Sequence, residues 1–133
     1  MNGDIHSPED ADAALAASGA HGVMIGRAAM GRPWLPGLIS AHLDGRKFTM
    51  PDLGEQLDSL LEQISDSAEL YGEFLGIRTV RKHISAAIDA VALPLKPDLR
   101  RRLRADLCQI NKVHELNSAL RSVYLHTKEM EAA

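Results

Sequence analysis

Residues 53–91 read LGEQLDSLLEQISDSAELYGEFLGIRTVRKHISAAIDAV, and their apolar positions recur every three or four residues. This spacing places the apolar side chains on one face of a helix, since an α-helix turns once every 3.6 residues. One stripe runs from Leu53 to Tyr71, and a helix beginning near Ile77 carries a second stripe to Val91. The stretch therefore predicts two amphipathic helices, each of which must bury its apolar face against a neighbour.

Two further helices are predicted on the C-terminal side of this stretch. One begins at Pro97, because proline suits the first turn of a helix, and the other follows a bend near Asn111. Their apolar stripes comprise Leu99, Leu103, Leu107 and Ile110, then Val113, Leu116, Leu120 and Tyr124. Four helices with one apolar stripe each can close a common core. The sequence therefore predicts a helical bundle over residues 45–133.

The preceding residues, 1–44, have a different pattern. Ser7 followed by proline and two acids is typical of a helix start, and Gly19 is typical of a helix end. The apolar run Val23–Ile25 lies between glycines, which suits a buried parallel β-strand. A short helix is expected within residues 33–43. One strand cannot form a sheet by itself, so this segment is predicted to be re-packed, mobile or paired with another copy of the chain.

Two glycine-containing loops flank this predicted strand and helix. Asn2-Gly3-Asp4 precedes the first helix, and Gly26-Arg27 follows the strand. Asn-Gly and Asp are common in ordinary turns, so the first loop alone indicates little. Placed before a capped helix and followed by Gly26-Arg27, it favours a phosphate site, because glycines let backbone N–H groups approach an anion. Such loops bind phosphate after the last two strands of a (β/α)8 barrel.

Acidic and basic residues are separated along the helical segment. Residues 48–75 contain seven acids and no lysine or arginine, whereas residues 76–112 contain nine bases and three acids. The bases are Arg78, Arg81, Lys82, Lys96, Arg100, Arg101, Arg102, Arg104 and Lys112. A basic face of this density can bind a phosphate backbone. Alternatively, the charges lie on solvated helix faces and pair with one another.

Composition excludes several classes of protein. The chain has 133 residues, 45% apolar residues, a net charge of −3 and one cysteine, Cys108, so it can form no internal disulfide. Its six histidines lack metal-ligand spacing, and no metal site is expected. No apolar run is long enough to span a membrane, and no secretory signal is recognisable. These features predict a cytoplasmic chain without a membrane or metal partner.

The ordered motifs NGD, MIGR, PW and RKH, at residues 2–4, 24–27, 33–34 and 81–83, resemble the C-terminal part of bacterial tRNA-dihydrouridine synthases. That family reduces uridine in tRNA with FMN and NAD(P)H, using an N-terminal barrel and a C-terminal helical domain. The resemblance implies a mainly α fold, with an incomplete remnant of the (β/α)8 barrel in residues 1–44. It also implies a helical tRNA-binding domain in residues 45–133.

The resemblance also implies roles for individual residues. The positions that hold FMN in the family correspond to Asn2, Gly3, Asp4, Gly26 and Arg27. The tRNA contacts are expected among the basic residues of the predicted bundle, namely Arg78, Arg81, Lys82, His83, Arg100, Arg101 and Arg104. His83 is equally consistent with a hydrogen-bonding residue at the edge of the core.

No catalytic residue is expected within this chain. The family's proton-donating cysteine belongs to an upstream barrel loop, and Cys108 is instead expected to be a small buried residue of a helix. The chain is therefore expected to be inactive alone and to self-associate, if at all, through its barrel segment. Three other interpretations stay open. They are a different FMN-binding barrel oxidoreductase, a helical RNA-binding module without enzymatic role, and a protein-interaction bundle that uses its acidic helix.

Overall fold

The computed structural model of the chain describes residues 4–126, and every regular element among them is helical. By its internal contacts the chain divides into two compact units, Met1–Met50 and Pro51–Ala133. The mainly α fold predicted from the sequence is therefore confirmed. Each unit has its own cluster of buried apolar side chains.

The first unit contains helix α1, Pro8–Ser18, a 3₁₀ turn, Arg27–Ala29, and helix α2, Leu35–Leu43. The predicted start of α1 is confirmed, because the Asp10 amide donates to Ser7 Oγ at 3.1 Å. Its predicted end is confirmed as well, with Gly19 in the left-handed region at φ 68°. The two helices pack around Ile5, Ala11, Leu35 and Ile39, all of which are buried.

The prediction of a β-strand at Val23–Ile25 is wrong. This run has no regular structure, and no β-strand occurs anywhere in residues 4–126. A strand must pair its backbone N–H and C=O groups with a neighbour, and the described chain offers no second extended segment for this. Val23 and Ile25 instead pack at the edge of the small core, while Met24 is 63% exposed.

The second unit is a bundle of four helices. These are α3, Leu53–Tyr71, α4, Glu73–Ala90, α5, Pro97–Leu107, and α6, Val113–Arg121, which continues into a π-helical turn, Ser122–His126. The number of helices, the start at Pro97 and the break around Asn111 agree with the sequence prediction. Helix α4 begins four residues before Ile77, because a single glycine, Gly72 at φ 84°, reverses the chain after α3.

Apolar side chains from all four helices form the core of this unit. Its fully buried members are those predicted from the stripes, among them Ile64, Ile77, Ile84, Ile88, Leu116 and Leu120. Tyr124 joins them from the π-helical turn, and burial raises the pKa of its hydroxyl to about 12. The predicted stripes therefore identified most of this core. Two of their members, Tyr71 at 51% and Leu99 at 40%, are instead exposed, and the buried Leu93 was not predicted.

Helices α3 and α4 approach each other closely at Gly76. A Cβ atom at this position would lie 2.5 Å from the backbone oxygen of Ser67 and 2.6 Å from Cα of Ala68. The Ser67 hydroxyl also donates a hydrogen bond to the carbonyl of Gly76, at 2.8 Å. No side chain fits between these backbones, so glycine is required here for the helices to pack.

Replacing Gly76 by alanine should therefore destabilise the second unit. The added methyl group meets backbone atoms that cannot rotate away, so the free energy of unfolding should fall by about 2 kcal/mol or more. Urea unfolding followed by circular dichroism measures this. The control is Gly37→Ala in α2, where the new Cβ would meet only the Phe48 ring at 3.5 Å, an ordinary contact. Equal stability of the two variants would contradict the close approach.

Candidate functional site

The acidic and basic residues of the bundle occupy different helices. The acids of residues 48–75 are all exposed, and most of them lie on α3. The basic residues lie on α4, on α5 and in the loops that precede α5 and α6. The separation of charge along the sequence is thus also a separation between helices.

Two exposed cations on α4 have no carboxylate partner. Arg78 and Lys82 are four residues apart, so they lie on the same side of the helix. Neither forms an ion pair with any residue of the described chain, and the Arg78 guanidinium lies over the Phe74 ring, 5.6 Å from its centroid. Their charges are available to a ligand without breaking an existing salt bridge.

The other two residues of the RKH motif on α4 are half-buried. Arg81 donates from Nη2 to Asn111 Oδ1 at 2.8 Å, while its Nε is buried without a hydrogen-bond partner in the structure. The His83 ring makes no hydrogen bond within the described residues. Burial, and secondarily the charge of Lys82, lowers the pKa of His83 below its usual value. The neutral imidazole is therefore favoured in the folded chain.

Arg100 has a structural role that the sequence analysis did not identify. Its guanidinium donates to the backbone carbonyls of Ile88, at 2.6 Å, and Leu93, at 2.7 Å, with a longer bond to Leu95 at 3.3 Å. These carbonyls belong to the end of α4 and the loop before α5, where no helix supplies donors. The signal that could have revealed this role is the pair of prolines, Pro94 and Pro97, because they prevent a regular helix in this loop.

The remaining arginines of α5 differ from one another. Arg101 pairs with Asp98 at 3.0 Å, and Arg104 pairs with Asp89. Both pairs are accessible to water, so they are weak and can exchange partners. Arg102 is exposed and has no partner within the described residues. The cluster of four arginines therefore divides into one structural residue, two paired residues and one unpaired cation.

In the first unit, the two glycine loops meet through a salt bridge. Arg27 Nη2 lies 3.0 Å from Asp4 Oδ1, and both side chains are largely exposed. Gly26 precedes the 3₁₀ turn, and a Cβ added to it would contact nothing within 4 Å, so its backbone is open to an anion. The predicted residues Asn2 and Gly3 lie outside the described part of the chain.

The prediction that Cys108 lies within a helix is wrong. It directly follows α5, is half-buried, and its Sγ lies 3.3 Å from the hydroxyl oxygen of Ser85. The helix ends one residue earlier, at Leu107. Within residues 4–126, no group of three or more His, Cys, Asp or Glu side chains is arranged to hold a metal ion. No helix of the same residues is both long and apolar enough to cross a membrane.

The structural role of Arg100 predicts a stability difference between neighbouring arginines. Arg100→Ala leaves several carbonyls without their donor and should lower the free energy of unfolding by about 2 kcal/mol. Arg102→Ala removes an exposed side chain and should change it by less than about 0.5 kcal/mol. Denaturant unfolding of both variants tests this, and similar values for the two would contradict it.

The lowered pKa of His83 predicts that acid destabilises the bundle. The unfolded chain binds a proton on this ring at the usual pKa of 6.5, whereas the folded chain resists protonation. The free energy of unfolding should therefore fall as the pH drops from 6.5 through the lowered pKa. Urea unfolding at about pH 7.5 and about pH 5.5 measures the loss. His83→Gln should reduce this loss, and an undiminished loss in that variant would contradict the assignment.

Comparison with known proteins agrees with the motifs. A family model described as dihydrouridine synthase matches residues 1–125. The tRNA-dihydrouridine synthase B of Shewanella oneidensis is 39% identical over 115 residues, which cover 86% of this chain and 34% of the relative. The protein of the same name from Pseudomonas putida is 44% identical over 62% of this chain and 25% of its own length. That from Vibrio cholerae is 45% identical over 63% of this chain and 26% of its own length.

The chain thus spans about a third or less of the length of these relatives. The family match nevertheless extends across both units and includes the NGD, MIGR, PW and RKH motifs. Because it covers nearly the whole sequence, the chain belongs to the dihydrouridine synthase family.

Proposed function

We propose that this chain is the C-terminal part of a tRNA-dihydrouridine synthase, which reduces uridine in tRNA with FMN and NAD(P)H. In this proposal the second unit binds tRNA, and the first contributes to the phosphate end of the FMN site. The observation that supports it best is the pair of exposed, unpaired cations on α4, Lys82 within the family's RKH motif and Arg78 one turn before it. The relatives are named for action on tRNA, which agrees with a phosphate-binding surface.

The proposed tRNA contacts follow from the accessibility of each cation. Arg78 and Lys82 are free to neutralise phosphates directly. Arg81 can contribute only its Nη1 group, since Nη2 is bound to Asn111 and Nε is buried. Arg101 and Arg104 can take part by exchanging their carboxylates for phosphate oxygens. The Arg100 guanidinium is already bound by carbonyls, so it contributes charge rather than a contact. His83 is proposed as a neutral hydrogen-bonding residue at the edge of this surface.

A basic helical surface suits the proposed substrate. A base inside folded RNA must be swung out before an enzyme can act on it, and folded RNA is recognised largely by its shape and backbone. Phosphate contacts away from the target base can hold the RNA in position while the base is displaced. Binding of this kind needs accessible cations rather than a deep pocket.

The described residues of the first unit fit a phosphate group and little more of a flavin. The open backbone of Gly26, the exposed Arg27 and the Asp4 loop, together with the proposed Asn2 and Gly3, would hold the phosphate. When bound, reduced FMN supplies hydride to the uracil ring. The one cysteine, Cys108, is half-buried beside Ser85 and is not proposed as a proton donor. We therefore expect no turnover by this chain alone.

The proposed RNA surface predicts a salt-dependent affinity for tRNA. Each phosphate neutralised by a cation contributes roughly one unit to the slope of log K against log salt. The double variant Arg78→Gln/Lys82→Gln should bind tRNA more weakly and flatten that slope by up to about two units. Fluorescence anisotropy with labelled tRNA at several salt concentrations measures both quantities.

The acidic helix supplies the matched control for this experiment. Glu62 and Glu69 on α3 are exposed and unpaired within the described chain, and Glu62→Gln/Glu69→Gln removes two charges of the opposite sign. This variant should bind tRNA as well as the parent or better, since it removes repulsion. A larger loss of affinity from the acidic variant would mean that the basic side of α4 is not the tRNA site.

The incomplete flavin site predicts weak cofactor binding. Phosphate contacts alone leave the isoalloxazine ring in water, so the chain should purify without colour and bind FMN weakly or not at all. Quenching of flavin fluorescence on titration with the chain measures the affinity. A yellow preparation with one FMN per chain would contradict the proposal that most of the flavin pocket lies elsewhere.

A further inference from the structure

The largest cluster of exposed apolar residues in the bundle lies at the turn between α3 and α4. Leu70, Tyr71, Phe74 and Leu75 are each more than half exposed, and Phe74 reaches 64%. Only two other large apolar side chains of the described second unit are exposed, Leu99 at 40% and Leu125 at 45%, and they are isolated in sequence. Both exposed aromatic rings of this unit therefore belong to one turn, whereas its third ring, Tyr124, is buried.

The backbone of this turn is restrained on both sides of Phe74. Gly72 is the only residue between the two helices, and the backbones touch at Gly76 a few residues later. Glu73 adds a further restraint, because its Oε1 accepts a hydrogen bond from the Val113 amide at 2.8 Å. A ligand that bound here would lose little free energy to ordering the protein.

Two cations lie on the same side of α4 as the Phe74 ring. Phe74, Arg78 and Lys82 are spaced four residues apart, which places them on one side of the helix. The Arg78 guanidinium already lies over the Phe74 ring at 5.6 Å. The nearest acid in sequence, Glu73, is engaged by the Val113 amide and lies 3.9 Å from Lys112 Nζ, which offsets its repulsion of an anion.

A flat ring beside unpaired cations matches the chemistry of an unpaired nucleotide. Bases stack on aromatic rings and on arginine planes, and the adjacent phosphate requires a positive charge. We propose that Phe74 and Arg78 form a stacking platform for an unpaired base of RNA, whose backbone phosphate is bound by Lys82. This inference rests on the proposed RNA-binding role and assigns a particular surface and a particular form of RNA to it.

The platform distinguishes single-stranded from double-stranded RNA. Bases within a duplex already stack on their neighbours and cannot reach a protein ring, whereas unpaired bases can. The experiment uses the full chain with three labelled probes: a short oligouridylate, a blunt RNA duplex of equal length and a tRNA transcript. Phe74→Leu removes the aromatic face, and Phe74→Tyr is the matched control that keeps it.

Phe74→Leu should bind oligouridylate about tenfold more weakly than the parent, with an unchanged salt slope, because stacking releases no counterions. Affinity for the duplex should be the same for both, and Phe74→Tyr should behave as the parent with every probe. In addition, Phe74→Trp should show quenching of the new tryptophan on adding oligouridylate, measured against the parent, which contains only Trp34.

The outcomes separate the platform from the proposed function. Unchanged oligouridylate affinity in Phe74→Leu overturns the platform, and the RNA role survives if Arg78→Gln/Lys82→Gln still weakens tRNA binding. If the parent binds none of the probes, both proposals fail. If the parent self-associates without RNA, and Phe74→Leu abolishes this association while its RNA affinity is unaltered, the turn contacts a second copy of the chain and the platform is wrong.

Discussion

Helices α3 and α4 meet backbone to backbone at Gly76, and this contact constrains how the bundle packs. Because the backbones meet without an intervening side chain, the two helices are fixed relative to each other at one point. Their apolar stripes can then bury Ile64, Ile77, Ile84 and Ile88 together. The same contact determines where the basic side of α4 lies relative to the acidic residues of α3. The contact at Gly76 therefore affects both the packing of the core and the positions of the acidic and basic side chains.

Charge in this bundle has two separate uses, and the structure distinguishes them. Arg100 stabilises the fold, because its guanidinium donates to carbonyls at the end of α4 and in the loop before α5. Arg78 and Lys82 make no such bonds and stay exposed on α4. An arginine whose N–H groups already donate to several carbonyls cannot also donate them to a phosphate. A basic surface is therefore better described by its unpaired cations than by its total number of bases.

Much of the fold was predictable from the sequence, since helical periodicity and capping depend on nearby residues. The stripes of α3 to α6, the cap at Ser7 and the start at Pro97 were all identified in this way. The strand at Val23–Ile25 was predicted wrongly, because strand formation requires a partner that local sequence cannot reveal. The roles of Arg100 and Arg81 were also missed. Their partners, such as Leu93 and Asn111, are set by the tertiary arrangement of loops and helices.

The proposed tRNA surface places the unpaired cations of α4 against the RNA. Lysine footprinting can detect this contact, by acetylating the chain with and without tRNA and analysing it by mass spectrometry. Lys82, exposed on α4, should lose reactivity when tRNA is bound, while Lys47 of the first unit should keep its reactivity. If Lys82 stays equally reactive at a saturating tRNA concentration, α4 does not bind the RNA.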